Sequence, residues 1–168
     1  LRRRGERTRV TRRLLPFLLS AALFVVDQLS KVWIDRNIGA FDTWAIIPGF
    51  FNIIHAENRG MAFSLMADWT SAWRGIFLIG VSSAVLVFVA VMLWQARTLF
   101  QRSALTLVLG GAAGNLYDRL VRGSVTDFLD IHVGDYHWPT FNVADAAITV
   151  GALLLVSELL WSRGRHVS

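Results

Sequence analysis

The chain has no cysteine among its 168 residues. A disulfide framework, a thiol nucleophile and a thiolate metal site are therefore excluded, while the redox compartment stays open. Charge is also scarce. Only 17% of residues are charged, where a soluble domain carries about 25%. The polar helical faces that a soluble bundle needs are missing, which argues against a reading as soluble core helices. His55, His132, His137 and His166 form no HExxH pattern, so no metal site is expected. No GxSxG elbow occurs. Ser30 and Lys31 are neighbours, and neighbouring helical residues do not face each other, so a serine–lysine pair is disfavoured. No internal repeat or low-complexity segment stands out. What is present is apolar: 54% hydrophobic residues, a mean hydropathy of +0.48, and a length suited to one compact domain.

The uncharged runs cover residues 14–26, 75–95, 103–117 and 146–157. A helix needs about 20 residues to cross about 30 Å of hydrocarbon. Only the second run meets this alone. The first must take in Asp27 and Lys31, and the fourth must take in Asp145 or Glu158. The expected architecture is an all-α membrane protein with a small β element: spans at about 14–35, 73–96, 103–120 and 139–161, outer loops at 36–72 and 121–138, and a basic head at 1–13. All of it reads as a single integral membrane domain, 1–168. Trp33, Trp73, Trp94, Trp138 and Trp161 fall near span ends, as an interfacial belt would.

The net charge of +5 is uneven. Arg2, Arg3, Arg4, Arg7, Arg9, Arg12 and Arg13 crowd one end. A nucleic-acid arm is one reading of such a run, but the apolar stretch that follows favours a cytoplasmic flank, and no nucleic-acid partner is expected. No small-x-small cleavage site follows the apolar core, so the first span reads as retained rather than as a signal peptide. Arg97, Arg102, Arg163 and Arg165 share the side of the head, which the positive-inside rule makes cytoplasmic. Both termini then lie inside. Asp27, Lys31, Asn115, Asp118, Arg119, Asn142 and Asp145 all map to the outer ends of their spans.

Charged groups that converge at one membrane depth are costly and point to function. Asp27 and Lys31 are spaced i,i+4, Asn115 faces Asp118 and Arg119, and Asn142 faces Asp145. The GxxxG spacing from Gly110 to Gly114 allows a close helix contact just below this cluster. The outer loop from 45 to 55 is rich in β-formers, with Pro48-Gly49 as a turn. Two nearby carboxyls in a low-dielectric site share a proton. The ionised one can take a proton from water while the neutral one donates to a carbonyl oxygen, which hydrolyses an amide without a covalent intermediate. Spacing alone does not choose the pair. Asp118 beside Arg119, and Asp27 beside Lys31, each have a cation at hand and read as ion pairs. Asp145 has no sequence-local cation.

Five segments in order carry a resemblance. They are Asp27-Gln28-Leu29-Ser30-Lys31, Asn58-Arg59-Gly60-Met61-Ala62-Phe63-Ser64, Gly111-Ala112-Ala113-Gly114-Asn115-Leu116-Tyr117-Asp118-Arg119, Val125-Thr126-Asp127-Phe128 and Phe141-Asn142-Val143-Ala144-Asp145. With the topology, they resemble the bacterial lipoprotein signal peptidases (signal peptidase II), which are membrane aspartyl proteases. The resemblance implies that Asp127 and Asp145 form the catalytic dyad. It implies that Asp27, Lys31, Asn58, Gly60, Gly111, Asn115, Asp118, Arg119, Asn142 and Ala144 line or support the site, with no cofactor. It further implies cleavage of diacylglyceryl-modified prolipoproteins before the lipidated cysteine, at the outer face of the cytoplasmic membrane. Substrate and membrane lipid are the expected partners, the β-rich loop is the substrate cradle, and globomycin is an inhibitor. A monomer is expected, because one chain holds every part the mechanism needs. The arginine-rich head, beginning at Leu1 without methionine, departs from the pattern and reads as truncation or a tag. The competing readings are a small transporter and a non-catalytic helix-binding assembly protein. A transporter should carry polar groups through the full membrane thickness, and the inner halves of these spans are nearly bare of them.

Overall fold

The computed structural model describes residues 2–60 and 71–164. Met61 to Ser64 of the second family segment, and Arg165 and His166, lie outside the described residues. The elements run α1 (Arg2–Asn37), β1 (Thr43–Ile47), β2 (Phe51–Asn58), α2 (Ser71–Gln95), α3 (Leu99–Val121), β3 (Val125–Val133), β4 (Tyr136–His137) and α4 (Val143–Gly164). The mostly helical architecture with a small β element matches the sequence reading. The strands form one antiparallel sheet in the order β1-β2-β3-β4.

Among the described residues, three helices contain a stretch long and apolar enough to cross a membrane: Arg13–Asn37, Trp73–Gln95 and Val143–Trp161. Four had been expected. α3 falls outside this set because Gln101, Arg102, Asn115, Asp118 and Arg119 dilute its hydropathy. Its position explains the composition. α3 packs against α1, α2 and α4, so its polar groups meet protein rather than lipid. Val89 and Leu93 of α2, with Ala96 just beyond its end, pack on Leu105 and Leu109 of α3 to form the apolar core at the end remote from the sheet. The outside inverts the usual pattern. Leu18, Phe88 and Leu160 are 66%, 64% and 65% exposed, while Asp27, Lys31 and Asp118 are at 0%. So large an apolar surface around buried charge is what a bilayer solvent selects.

Local chemistry sets the boundaries. The apolar part of α1 begins at Arg13, close to the expected start of the span, and the helix continues back through the basic head, since arginine is a good helix former. Pro16 lies inside it, and the Ser20 hydroxyl donates to the Pro16 carbonyl at 3.1 Å and to the Thr106 carbonyl of α3 at 2.9 Å. α4 starts at Val143 rather than 139, because Pro139 keeps the chain extended and Asn142 caps the helix. Pro48 and Gly49 turn the chain between β1 and β2, with Gly49 at φ 78° and the Phe50 amide bonded to the Ile47 carbonyl. The second outer loop is not simply a loop. It supplies β3 and β4, and β3 pairs with β2 in the register Asn58↔Val125 and Ala56↔Asp127.

Glycines let the helices approach. A Cβ on Gly111 would collide with the Ala144 carbonyl of α4, and one on Gly114 with an Asp27 carboxylate oxygen of α1. Gly110 likewise abuts the Ser20 carbonyl, so the close contact expected from the Gly110–Gly114 spacing is made with α1, while Gly111 lets α4 approach from another side.

Candidate active site

Asp127 and Asp145 reach the site from different elements. Asp127 sits on β3, where it shares a sheet face with Asn58 across the β2–β3 pair. Asp145 sits in the first turn of α4. Backbone pairing joins the two elements: Leu129 and Phe141 exchange N–H···O bonds of 2.8 and 3.1 Å. That anchors the residue before Asn142 to the strand carrying Asp127.

Asn142 links the two acids. Its side-chain Nδ2 donates to Asp127 Oδ1 at 2.7 Å, and its backbone N–H donates to Asp145 Oδ2 at 3.3 Å. Its Oδ1 accepts the Asp145 amide at 2.9 Å. Asn142 and Asp145 thus form a reciprocal capping box, so Asp145 is oriented by the start of its own helix. Asn115 holds the other oxygen, with Nδ2 donating to Asp145 Oδ1 at 2.6 Å. Asn115 Oδ1 accepts from Lys31 and Asn142 at 3.1 and 3.2 Å.

Asn58 completes the first acid. Its Oδ1 accepts the Gly60 amide at 2.9 Å, which fixes the side chain so that Nδ2 reaches Asp127 Oδ2 at 3.0 Å. Gly60 has φ 75°, and a Cβ there would collide with Leu78 of α2. Only glycine suits that position. The acids differ in setting. Asp127 is 3% exposed, while Asp145 is half-buried. Burial pushes the Asp127 carboxyl up, and the negative charge of Asp145 adds to this against the Asn58 and Asn142 hydrogen bonds; the result is about 6. An acid titrating there can hold or release a proton near neutral pH.

Below Asp127 and Asp145 lies a buried ion cluster. Lys31 Nζ is 2.8 Å from Asp27 Oδ2 and 2.6 Å from Asp118 Oδ2. This corrects one expectation: Asp118 pairs with Lys31 on another helix, not with its neighbour Arg119. Adjacent residues point apart on a helix, and Arg119 instead donates to the Asn115 carbonyl at 3.1 Å. Asp27 Oδ1 accepts the Ala144 amide at 3.0 Å, placing an anion at the positive end of α4. Three helices are thereby tied beneath Asp127 and Asp145. Gln28, which the sequence reading passed over, donates to Asp118 Oδ1 at 3.0 Å and Asp27 Oδ2 at 3.2 Å. Its place inside the Asp27–Lys31 segment was the available signal.

A family model, Peptidase_A8, described as Signal peptidase (SPase) II, matches residues 19–161. The chain belongs to the signal peptidase II family. It is 49% identical over 144 residues to the lipoprotein signal peptidase of Solibacter usitatus (strain Ellin6076), covering 84% of this chain and 88% of that one. It is 41% identical over 142 residues to that of Yersinia pseudotuberculosis serotype O:1b (strain IP 31758), covering 83% of each. Its fold is similar to a bacterial membrane enzyme solved by the in meso method at 2.3 Å resolution. There the TM-score is 0.78 at 27% identity, over 90% of both chains. A second such structure, at 1.9 Å resolution, gives 0.75 at 29% identity over 87% of this chain and 92% of that one.

Every site residue drawn from the family resemblance falls in or against this one cluster of signal peptidase II. Gly111 is there for the close passage of α4 and Ala144 for its backbone amide. Among the described residues no group of three or more histidine, aspartate and glutamate side chains is placed to hold a metal ion. His55 instead bonds the Ile38 carbonyl and faces Asp35, and His137 bonds Asp130 at 2.8 Å. Asp130 is subject to burial, which pushes its pKa up, but hydrogen bonds from His137 and Asn52 outweigh this and hold it below the ordinary carboxylate value. It reads as a structural anion of the sheet.

Proposed function

We propose that the chain removes signal peptides from prolipoproteins by aspartyl chemistry, with Asp127 and Asp145 as the dyad. The family membership makes it a peptidase of the lipoprotein-processing type. The observation that carries the dyad is that one residue, Asn142, donates to both carboxylates. Two acids held by one asparagine are near enough for the charge of Asp145 to raise the Asp127 pKa, the arrangement that a dyad needs.

In this reading the ionised acid takes a proton from the water that attacks the scissile carbonyl carbon. The neutral acid gives its proton to the carbonyl oxygen, and proton return to the leaving nitrogen restores the pair. Asn58, Asn115 and Asn142 keep the carboxylates aligned. Asp27, Lys31 and Asp118 lock the helices beneath, Arg119 supports Asn115, and Gly60, Gly111 and Ala144 supply the close backbone approaches. The substrate carries diacylglycerol on the cysteine that follows the scissile bond, and its apolar helix and lipid arrive sideways through the bilayer. We further propose a single integral membrane domain acting as a monomer, crossing the cytoplasmic membrane four times with α3 as the central span. Both termini then face the cytoplasm, the dyad faces outward, and β1 to β4 cradle the substrate.

The test uses purified protein in detergent and a diacylglyceryl-modified precursor peptide followed over time. Multiple turnovers on the lipidated peptide, arrest by globomycin and no cleavage of the unlipidated peptide are expected. Binding of the precursor without turnover would make the chain a helix-binding protein instead.

A further inference from the structure

One cavity stands apart from the peptidase chemistry. At the end of the bundle opposite the carboxylates, a groove of about 790 Å³ opens between α1 and α3. Ligand cavities run from about 300 to 1,000 Å³. Leu15, Leu19 and Leu23 form its α1 wall, and Leu99 and Leu107 line it from α3. The stretch from Leu15 to Leu23 runs about 12 Å along the helix. Arg97 and Arg102 complete the lining, and no acidic residue does.

The two helices run parallel, since both reach the dyad region at their C-terminal halves. Arg97, Arg102 and Leu99 therefore lie at the outermost end of the groove, and Leu23 and Leu107 toward mid-bundle. The result is a cationic head above an apolar channel. Arg102 Nε donates to the Ala96 carbonyl at 3.1 Å, which fixes the side chain's approach. Among the described residues no carboxylate pairs with either guanidinium. Glu158, at the same end, is engaged by the Thr98 hydroxyl at 3.1 Å. The positive end of the α3 dipole adds to the same field.

We infer that this groove binds one anionic phospholipid, its phosphate on Arg97 and Arg102 and its acyl chains along the leucines. Charge selects this occupant. A signal helix would bring its own basic flank against two arginines, and a zwitterionic headgroup would bring an amine or choline cation. The lipid belongs to the leaflet remote from the dyad. The site is therefore distinct from the one that receives substrate, and it does not depend on the peptidase reading.

The test is native mass spectrometry of the full chain released from detergent, titrated with dioctanoyl phosphatidylglycerol, dioctanoyl phosphatidylcholine and glycerol 3-phosphate. One phosphatidylglycerol is expected to bind about thirtyfold more tightly than phosphatidylcholine, as two basic residues supply near a membrane surface. Arg97→Gln with Arg102→Gln should abolish that preference. Ser103→Trp, which fills the groove and leaves both arginines, should abolish binding of either lipid there. Both variants should keep the thermal transition of the unaltered protein, which shows that they fold. Equal affinity for the two lipids, a preference that survives either variant, or displacement of lipid by glycerol 3-phosphate would overturn the assignment.

Discussion

At the sheet end of the helical bundle, Asp27, Lys31 and Asp118 are withdrawn entirely from solvent, and each is held by partners from another helix. At the opposite end, Arg13 and Arg97 stand on the surface, and the apolar contacts of Val89, Leu93, Leu105 and Leu109 hold the helices together. The two ends solve the same packing problem with different physics. Dispersion and apolar contact are forgiving, because one leucine can stand for another of similar volume. A buried lysine between two carboxylates is not, because removing any partner leaves an uncompensated charge. The difference teaches where specificity resides: one end, the proposed site of the reaction, fixes side-chain geometry, and the other mainly fixes the helices in place.

Substitutions that probe the two ends should therefore differ in kind as well as size. The largest effect is expected at the dyad. Asp127→Asn should lower cleavage of a lipidated precursor by about 10³-fold or more, the scale of a lost acid–base group. Near-normal turnover by this variant would remove Asp127 from the chemistry. Next is Lys31→Met, which strands Asp27 and Asp118. A loss of about 3–5 kcal/mol is expected, seen as failure to recover monodisperse protein or as a collapsed thermal transition.

Smaller, and diagnostic by sign, is Asn58→Ala. The Asn58 hydrogen bond opposes the burial and the Asp145 charge that raise the Asp127 pKa to about 6. Deleting it should move that pKa above about 6, so Asp127 would gain its proton at higher pH. A carboxyl-labelled ¹³C NMR titration reads this directly, and a downward shift would contradict the hydrogen bond's role. The smallest effect belongs to the other end. Thr98 caps α3 by accepting the Gln101 amide at 3.0 Å. Thr98→Ala should cost about 1 kcal/mol of stability while leaving the cleavage rate unchanged. A tenfold loss of rate there would mean that the two ends are coupled.

Much of this was legible along the chain. The short apolar runs force Asp27 and Asp145 into their helices, and the helical spacing pairs Asp27 with Lys31. What stayed hidden depends on contacts between segments. Helical spacing already turns Asp118 away from Arg119, but nothing local names Lys31 as its partner; that choice follows from α1 crossing α3 at glycine. β3 was also obscured, because Val125 to Val133 is interrupted by Asp127, Asp130 and His132, and the burial of the two acids becomes tolerable only once Asn142, Asn58, Asn52 and His137 are in place. α3 looked like an ordinary span because its charges can be counted in sequence but their inward direction cannot.

The capping box between Asn142 and Asp145 makes a carboxylate part of a helix end. Asp145 keeps one oxygen on the Asn142 amide, and Asn142 keeps its own side-chain oxygen on the Asp145 amide. Fraying of the opening turn of α4 would release that carboxylate, so its aim is only as steady as the helix start that holds it.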